Sequence, residues 1–167
     1  MKANWTALLV FVAAGVWAAP SVGRLNPGEY AHRIPVINDT ATVSWSPDGS
    51  GGAFFEVSAP TTGWVGLGLG SQVMDGAWIF MGFVNDGNPV FSEQRGLGHT
   101  HRPAESNRAD LWAVTQTGGR TMVEFHLPAA RMLVTGSSFP FIAAYSGAPD
   151  LSTFHEDNLD GGTITLP

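Results

Sequence analysis

Turn-forming residues interrupt this chain so often that long helices have no room to form. The 167 residues include 21 glycines and 11 prolines, and after Pro20 no long stretch carries apolar side chains at helical spacing. The segments between the turns are short and typical of strands: 41–46, 53–59, 63–70, 77–84, 89–93, 109–116, 121–127, 139–145 and 163–166. The sequence therefore predicts an all-β fold, an immunoglobulin-like antiparallel β-sandwich.

One turn signal is stronger than the others. Asp86-Gly87 separates the apolar pairs 83–84 and 90–91, and Asp-Gly is a preferred pair for two-residue hairpin turns. Two other segments, 97–107 and 146–162, lack strand alternation and are predicted as long polar loops. Loops of this length in a compact sandwich are more often functional than idle.

The first 19 residues have the layout of a secretory signal peptide. A short start with Lys2 precedes an uninterrupted apolar run at 7–18, and small side chains end that run. A helix needs about 20 apolar residues to cross a bilayer, so the run is too short for a transmembrane segment. Cleavage after Ala18 or Ala19 would leave one secreted or periplasmic domain, 20–167, without a membrane span. An uncleaved anchor is the alternative.

Charge and cysteine content exclude several functions. The chain has 14 acidic and 8 basic side chains and a net charge of -6. Nucleic acid is therefore not an expected partner, because few phosphates would be neutralised. The absence of cysteine excludes disulfides, thiolate metal sites and covalently attached haem. Any cofactor must be held without a bond to cysteine sulfur.

Glycines alternate along the segment GWVGLGLG at 63–70. Successive side chains of a strand point to opposite faces. Gly66, Gly68 and Gly70 are therefore predicted to leave one face as bare backbone, while the residues between them pack on the other. A bare face admits something flat or bulky at close range, either a ligand or another part of the protein.

Methionine and histidine are the candidate metal ligands. Met74 precedes the strongly apolar segment 77–84, an unusual place for a core methionine, although gap filling is the simpler explanation. His155 lies in the loop sequence FHEDN. His99 and His101 form an H-x-H pair that suits copper or zinc if further ligands converge. A solvated loop is the simpler explanation of that pair.

Three blocks of sequence resemble the DOMON superfamily, which includes the cytochrome part of cellobiose dehydrogenase and haem subunits of ethylbenzene dehydrogenase-like enzymes. The blocks are GWVGLGLG at 63–70, MDGAWIFMGFVNDG at 74–87, and FIAAYSG at 141–147 followed by Phe154-His155. The resemblance implies a β-sandwich that binds a b-type haem or a sugar. Haem-binding members ligate iron through a methionine before the central strand and a histidine near the C-terminal end, and these positions correspond to Met74 and His155.

The resemblance implies an electron-transfer domain rather than an enzyme. A thioether and an imidazole on opposite sides of the iron leave no position open for substrate, so a separate redox partner protein is expected. Three aromatic side chains are expected to line the haem pocket, although core packing explains each almost as well: Trp64, Trp78 and Phe154. The cations available to the haem propionates are Arg95, Arg102 and Arg108.

Two other functions stay open at this point. A non-redox module on the same fold would hold a carbohydrate through tryptophans and polar loops. A copper-handling protein would use His99, His101 and a nearby methionine.

Overall fold

The computed structural model describes residue 25, residues 30–133 and residues 138–166. The predicted signal peptide at 1–19 lies outside these residues. In the described part, two antiparallel sheets pack face to face, and the predicted β-sandwich is confirmed. No helix among the described residues has the length and apolar character needed to cross a bilayer.

The strands follow one another along the chain, and most of the connections between them are short. They are β1 (His32–Val36), β2 (Ala41–Pro47), β3 (Ala53–Ala59), β4 (Val65–Leu69), β5 (Trp78–Asn85), β6 (Asn88–Leu97), β7 (Thr100–Pro103), β8 (Leu111–Thr117), β9 (Arg120–Leu127), β10 (Ser138–Tyr145) and β11 (Leu159–Thr165). One sheet has the order β1-β2-β3-β9-β8, and the other has the order β11-β10-β4-β5-β6-β7. A short 3-10 turn at Ala129–Arg131 follows β9.

The space between the sheets is filled by stacked phenylalanines. The ring centroids of Phe80 and Phe125 lie 4.1 Å apart, and those of Phe55 and Phe125 lie 5.2 Å apart. All three side chains are fully buried. Because Phe80 belongs to the six-stranded sheet and the other two to the five-stranded sheet, this stack joins the layers through the middle of the core.

The alternation predicted for β4 is confirmed. Val65, Leu67 and Leu69 are buried in the core between the sheets. At Gly66 and Gly68 the backbone is bare on the opposite, outer face of the six-stranded sheet. Gly70 lies just beyond the strand with a φ of 89°, a conformation that glycine adopts without strain.

The Asp86-Gly87 hairpin is also confirmed. Both residues have positive φ, 49° and 79°, as a type I′ turn requires. The turn joins β5 to β6, whose register places Phe80 opposite Glu93.

Two strands were not predicted, and both lie at sheet edges. β1 contains Pro35, and β7 ends with Pro103; proline is tolerated at an edge, where its missing N–H faces no neighbouring strand. The prediction of a polar loop at 97–107 is wrong over β7, which pairs with the end of β6. The H-x-H pair therefore belongs to a β-hairpin.

A second apolar cluster covers the outer face of the six-stranded sheet. Its buried members include Trp64, Ile79, Met81 and Ile142, and Met74 packs against them. The outer face of a sheet is normally polar. An apolar outer face indicates contact with a ligand or with another apolar surface.

Candidate functional site

The outer apolar face forms the floor of a cavity of about 440 Å³. β4 contributes Gly66 and Gly68, and the neighbouring strands contribute Ile79, Met81 and Ile142. A Cβ on Gly68 would come within 2.7 Å of Ile142 Cγ2, and one on Gly66 within 3.1 Å of Met81 Cγ. The missing side chains at these two positions therefore make room for Ile142 and Met81, and both glycines also line the cavity.

Met74 lies on the cavity wall next to β6. The Ala77 N–H donates to the Met74 carbonyl at 3.1 Å, which closes a turn just before β5. The Gly98 N–H donates to Asp75 Oδ1 at 2.8 Å, so the segment is also tied to the β6–β7 turn. These bonds fix the backbone that carries the thioether into the cavity.

His155 faces the same cavity from the loop between β10 and β11, with only 8% of the residue exposed. Its Nδ1 lies 2.8 Å from the carbonyl oxygen of Glu156. A carbonyl oxygen only accepts hydrogen bonds, so in the neutral ring Nδ1 carries the proton and Nε2 keeps its lone pair. Metal-binding histidines usually have this arrangement, in which one nitrogen donates to a backbone carbonyl and the other is free for the metal.

Trp64 and Phe154 both line the cavity. Trp64 is 3% exposed, and its Nε1 donates to the Thr153 carbonyl at 3.0 Å. This bond anchors the loop that holds His155. Phe154 is 68% exposed, and its ring centroid lies 4.4 Å from that of His155.

Trp78 lies on the other face of the sheet and does not line the cavity. It pairs with Leu69 across the β4–β5 ladder, so both side chains point toward the space between the sheets. Trp78 Nε1 donates to Glu93 Oε2 at 2.9 Å. The guanidinium carbons of Arg95 and Arg108 lie 4.9 Å and 4.3 Å from the indole centroid.

The three candidate propionate partners are engaged elsewhere. Arg95 and Arg108 contact the Trp78 ring, and Arg102 forms an exposed ion pair with Glu105 at 3.6 Å. None of the three lines the cavity, whose described wall contains neither lysine nor arginine.

His99 and His101 face the cavity from the β6–β7 hairpin. His101 Nδ1 lies 3.4 Å from Gln94 Oε1. Burial lowers the pKa of His101 below its usual 6.5, which favours the neutral imidazole. Within residues 30–133 and 138–166, no three His, Cys, Asp or Glu side chains converge on one metal position. The copper hypothesis takes a methionine as its further ligand, and Met74 lines the same cavity as the two histidines.

His126 lies outside the cavity, on the five-stranded sheet. Its Nδ1 contacts Asp110 Oδ1 at 2.7 Å, and its Nε2 contacts Asp48 Oδ2 at 3.0 Å. Burial raises the pKa of Asp48, but hydrogen bonds from Ser50, His126 and the Gly52 N–H together lower it from 3.8 to about 2. The contacts of His126 with these two carboxylates join the β2–β3 turn to β9 and stabilise the fold.

Comparison with solved structures identifies the fold. The cytochrome b domain of pyranose dehydrogenase from Coprinopsis cinerea matches with a TM-score of 0.62 and 16% identity, over 80% of each chain. The cytochrome domain of cellobiose dehydrogenase from Myriococcum thermophilum matches with a TM-score of 0.57 and 10% identity, over 76% of this chain and 75% of that one. This chain has the fold of those cytochrome domains. No family model and no curated protein sequence matches it.

The cytochrome-domain fold confirms the sequence resemblance at the level of architecture. The fold also raises the question of whether the cavity fits a haem. Such a cavity must be apolar and must provide a ligand atom on each side of the iron. The cavity lies within the usual range of about 300–1,000 Å³ for ligand sites, and its floor is apolar. A thioether and an imidazole with a free Nε2 both reach it. The residues present therefore fit a non-covalently bound haem b.

Proposed function

We propose that this protein is a secreted or periplasmic electron-transfer domain that binds one haem b non-covalently, with Met74 and His155 as axial ligands. The observation that carries the proposal is the imidazole of His155. Its Nδ1 donates to the Glu156 carbonyl, while the ring faces a cavity that Met74 also lines. A backbone carbonyl bound to one nitrogen of a buried imidazole is the arrangement that orients a histidine to bind a metal through its other nitrogen.

The ligand pair defines the class of chemistry. Haem supplies one-electron transfer, and methionine with histidine raises its reduction potential relative to two nitrogen ligands. Met74 and His155 would hold a bound haem from its two axial positions, so no position would remain for substrate or oxygen. The protein is accordingly a carrier of electrons and not an enzyme.

The lining of the cavity supports an apolar cofactor over a sugar. On the cavity floor, Gly66, Gly68, Ile79 and Ile142 present no side-chain donor or acceptor, although the lining as a whole also includes the polar side chains of Gln94, Thr100 and Ser152. A carbohydrate would need hydrogen bonds for its hydroxyl groups. The apolar floor suits the edge of a large planar group. Trp64 holds the His155 loop against this floor through its bond to Thr153.

The cavity rim supports a separate redox partner. Of the five large exposed hydrophobic side chains among the described residues, Phe154 and Leu159 line the cavity. Val73 directly precedes Met74 and Leu97 ends β6, whereas Leu111 belongs to β8 of the other sheet. Exposed apolar patches of this kind mark interaction sites. The two similar domains belong, by their descriptions, to dehydrogenases, and a dehydrogenase is a fitting electron donor here.

The decisive experiment offers hemin to the purified, folded protein and records absorption spectra in both oxidation states. We expect one haem per chain and a six-coordinate low-spin spectrum. His155→Ala should lose hemin or become high-spin. A folded wild-type protein that stays colourless, or a His155→Ala variant with the wild-type spectrum, would refute the proposal.

His32→Ala is the matched control, because it removes a histidine that lies outside the cavity. His32 belongs to β1 in the other sheet and stacks on Trp45 at a centroid distance of 5.3 Å. Its loss should leave the spectrum of the hemin-loaded protein unchanged. Far-UV circular dichroism of both variants checks that any loss of hemin is local.

A further inference from the structure

His101 reaches the cavity from the same side as Met74. It lies directly opposite Gly96 in the β6–β7 ladder, and directly opposed residues of antiparallel strands have Cβ positions about 5 Å apart on one face. A Cβ on Gly96 would overlap the Met74 carbonyl oxygen and lie 3.3 Å from Met74 Cγ. The thioether and the second imidazole therefore start from adjacent points on one wall.

The hydrogen bonding of His101 resembles that of His155. Gln94 Nε2 donates to Ser92 Oγ at 2.6 Å, and this bond leaves Gln94 Oε1 directed toward His101 Nδ1 at 3.4 Å. An amide oxygen only accepts, so the proton of the neutral ring is on Nδ1 and the lone pair is on Nε2. Two of the histidines that line the cavity thus have the tautomer suited to binding iron.

The positions of His101 and His155 place them on different walls. His155 belongs to the loop that leads into β11, and His101 belongs to β7. These strands lie at opposite ends of the six-stranded sheet, with the glycine floor of β4 between them. A planar group on this floor can therefore have His155 on one side, and either Met74 or His101 on the other.

We propose that His101 is a reserve axial ligand, which binds the iron through Nε2 when the Met74 thioether is absent. This inference rests on the proposed function. The exchange would replace one Fe–S bond with one Fe–N bond, with no change of oxidation state. A neutral imidazole with its proton on Nδ1 would release no proton on binding. Imidazole is a good ligand for iron, so Met74 would set the potential of a bound haem and His101 would preserve its coordination number.

The test compares three hemin-loaded variants by absorption and electron paramagnetic resonance spectroscopy. Met74→Ala should stay low-spin with the signature of two imidazole ligands, at a lower midpoint potential than the wild type. Met74→Ala with His101→Ala should become high-spin. Met74→Ala with His32→Ala, the matched control, should keep the spectrum of the single variant.

Added imidazole separates coordination from folding. If the Met74/His101 double variant is folded, free imidazole should restore its low-spin spectrum. A Met74→Ala variant that is already high-spin, or that loses hemin, would overturn the role of His101. So would a loss of low-spin iron that follows His99→Ala in that background instead of His101→Ala.

These outcomes are distinct from failure of the proposed function. If the wild-type protein does not take up hemin, both proposals are wrong. If the wild type binds hemin in a low-spin state and Met74→Ala does not, only the reserve-ligand proposal is wrong.

Discussion

The backbone of Met74 lies directly against Gly96, and the contact leaves no room for a side chain at position 96. The Gly96 N–H donates to the Ala77 carbonyl at 3.0 Å, and the Gly76 N–H donates to the Gly96 carbonyl at 3.3 Å. The placement of the thioether on the cavity wall therefore depends on a missing Cβ in a neighbouring strand.

Gly96→Ala should displace the Met74 segment. We expect the spectrum of the hemin-loaded variant to lose the features of thioether ligation, and the free energy of unfolding to fall by about 1–3 kcal/mol, as in other overpacked sites. Gly147→Ala is the control, because a Cβ there would meet nothing within 4 Å. A wild-type spectrum in Gly96→Ala would show that this contact does not position Met74.

Trp64 and Trp78 should respond differently to replacement by phenylalanine. Trp64→Phe removes the bond to the Thr153 carbonyl, which loosens the His155 loop, so hemin should dissociate faster. Trp78→Phe removes a donor to the buried Glu93, so the free energy of unfolding should fall by about 1–3 kcal/mol while hemin dissociation stays unchanged. Transfer of hemin to apomyoglobin and urea denaturation measure the two quantities. Faster hemin loss in Trp78→Phe alone would contradict the site described above.

Asp48 should stabilise the fold above pH 4 and cease to do so near pH 2. Its pKa is about 2 in the folded protein and 3.8 without these contacts, so the folded state favours the carboxylate. The difference corresponds to about 2 kcal/mol, present above 3.8 and lost as the pH falls toward 2. Asp48→Asn should therefore be less stable than the wild type at pH 7, with a gap that closes in acid.

Urea denaturation as a function of pH measures the contribution of Asp48. Asp157→Asn, at an exposed position of the β10–β11 loop, controls for the change in net charge. A stability gap between wild type and Asp48→Asn that stays constant from pH 7 to pH 2 would disprove this assignment.

Gly68→Ala should overpack the cavity floor. The new Cβ would lie 2.7 Å from Ile142 Cγ2 and 3.2 Å from the Ala77 Cβ, and we expect a loss of about 1–3 kcal/mol in the free energy of unfolding. Ile142→Ala removes the nearest atom. The double variant should therefore lose less stability than the sum of the two single variants, and strictly additive losses would exclude the contact.

Local patterns in the sequence predicted the parts of the site that depend on local geometry. The alternation of glycines in 63–70 predicted a bare strand face because side chains alternate along any strand. Asp86-Gly87 predicted its turn because few residues adopt positive φ without strain. The proposed role of Met74 and His155 as ligands came from the family resemblance. These residues are too far apart in the chain for their spacing to indicate a shared site.

The sequence does not decide on which face of β5 Trp78 lies. Trp78 and Phe80 share one face of β5, and Ile79 and Met81 share the other, but the sequence of β5 is apolar on both faces. The ladder with β4 decides between them, because Leu69 pairs with Trp78 and Gly68 pairs with Ile79. A shift of one residue in that register would exchange the two faces.

The sequence by itself determined an all-β sandwich and a strand with glycines along one face. Only the tertiary structure decided that His101 joins Met74 on one wall, that Trp78 faces the core and that His126 holds Asp48. These relationships depend on hydrogen-bonded pairing between segments distant in the chain. β7 is an edge strand that is polar and ends with proline. Its sequence shows no clear alternation, so its pairing with β6 could not be predicted from local pattern.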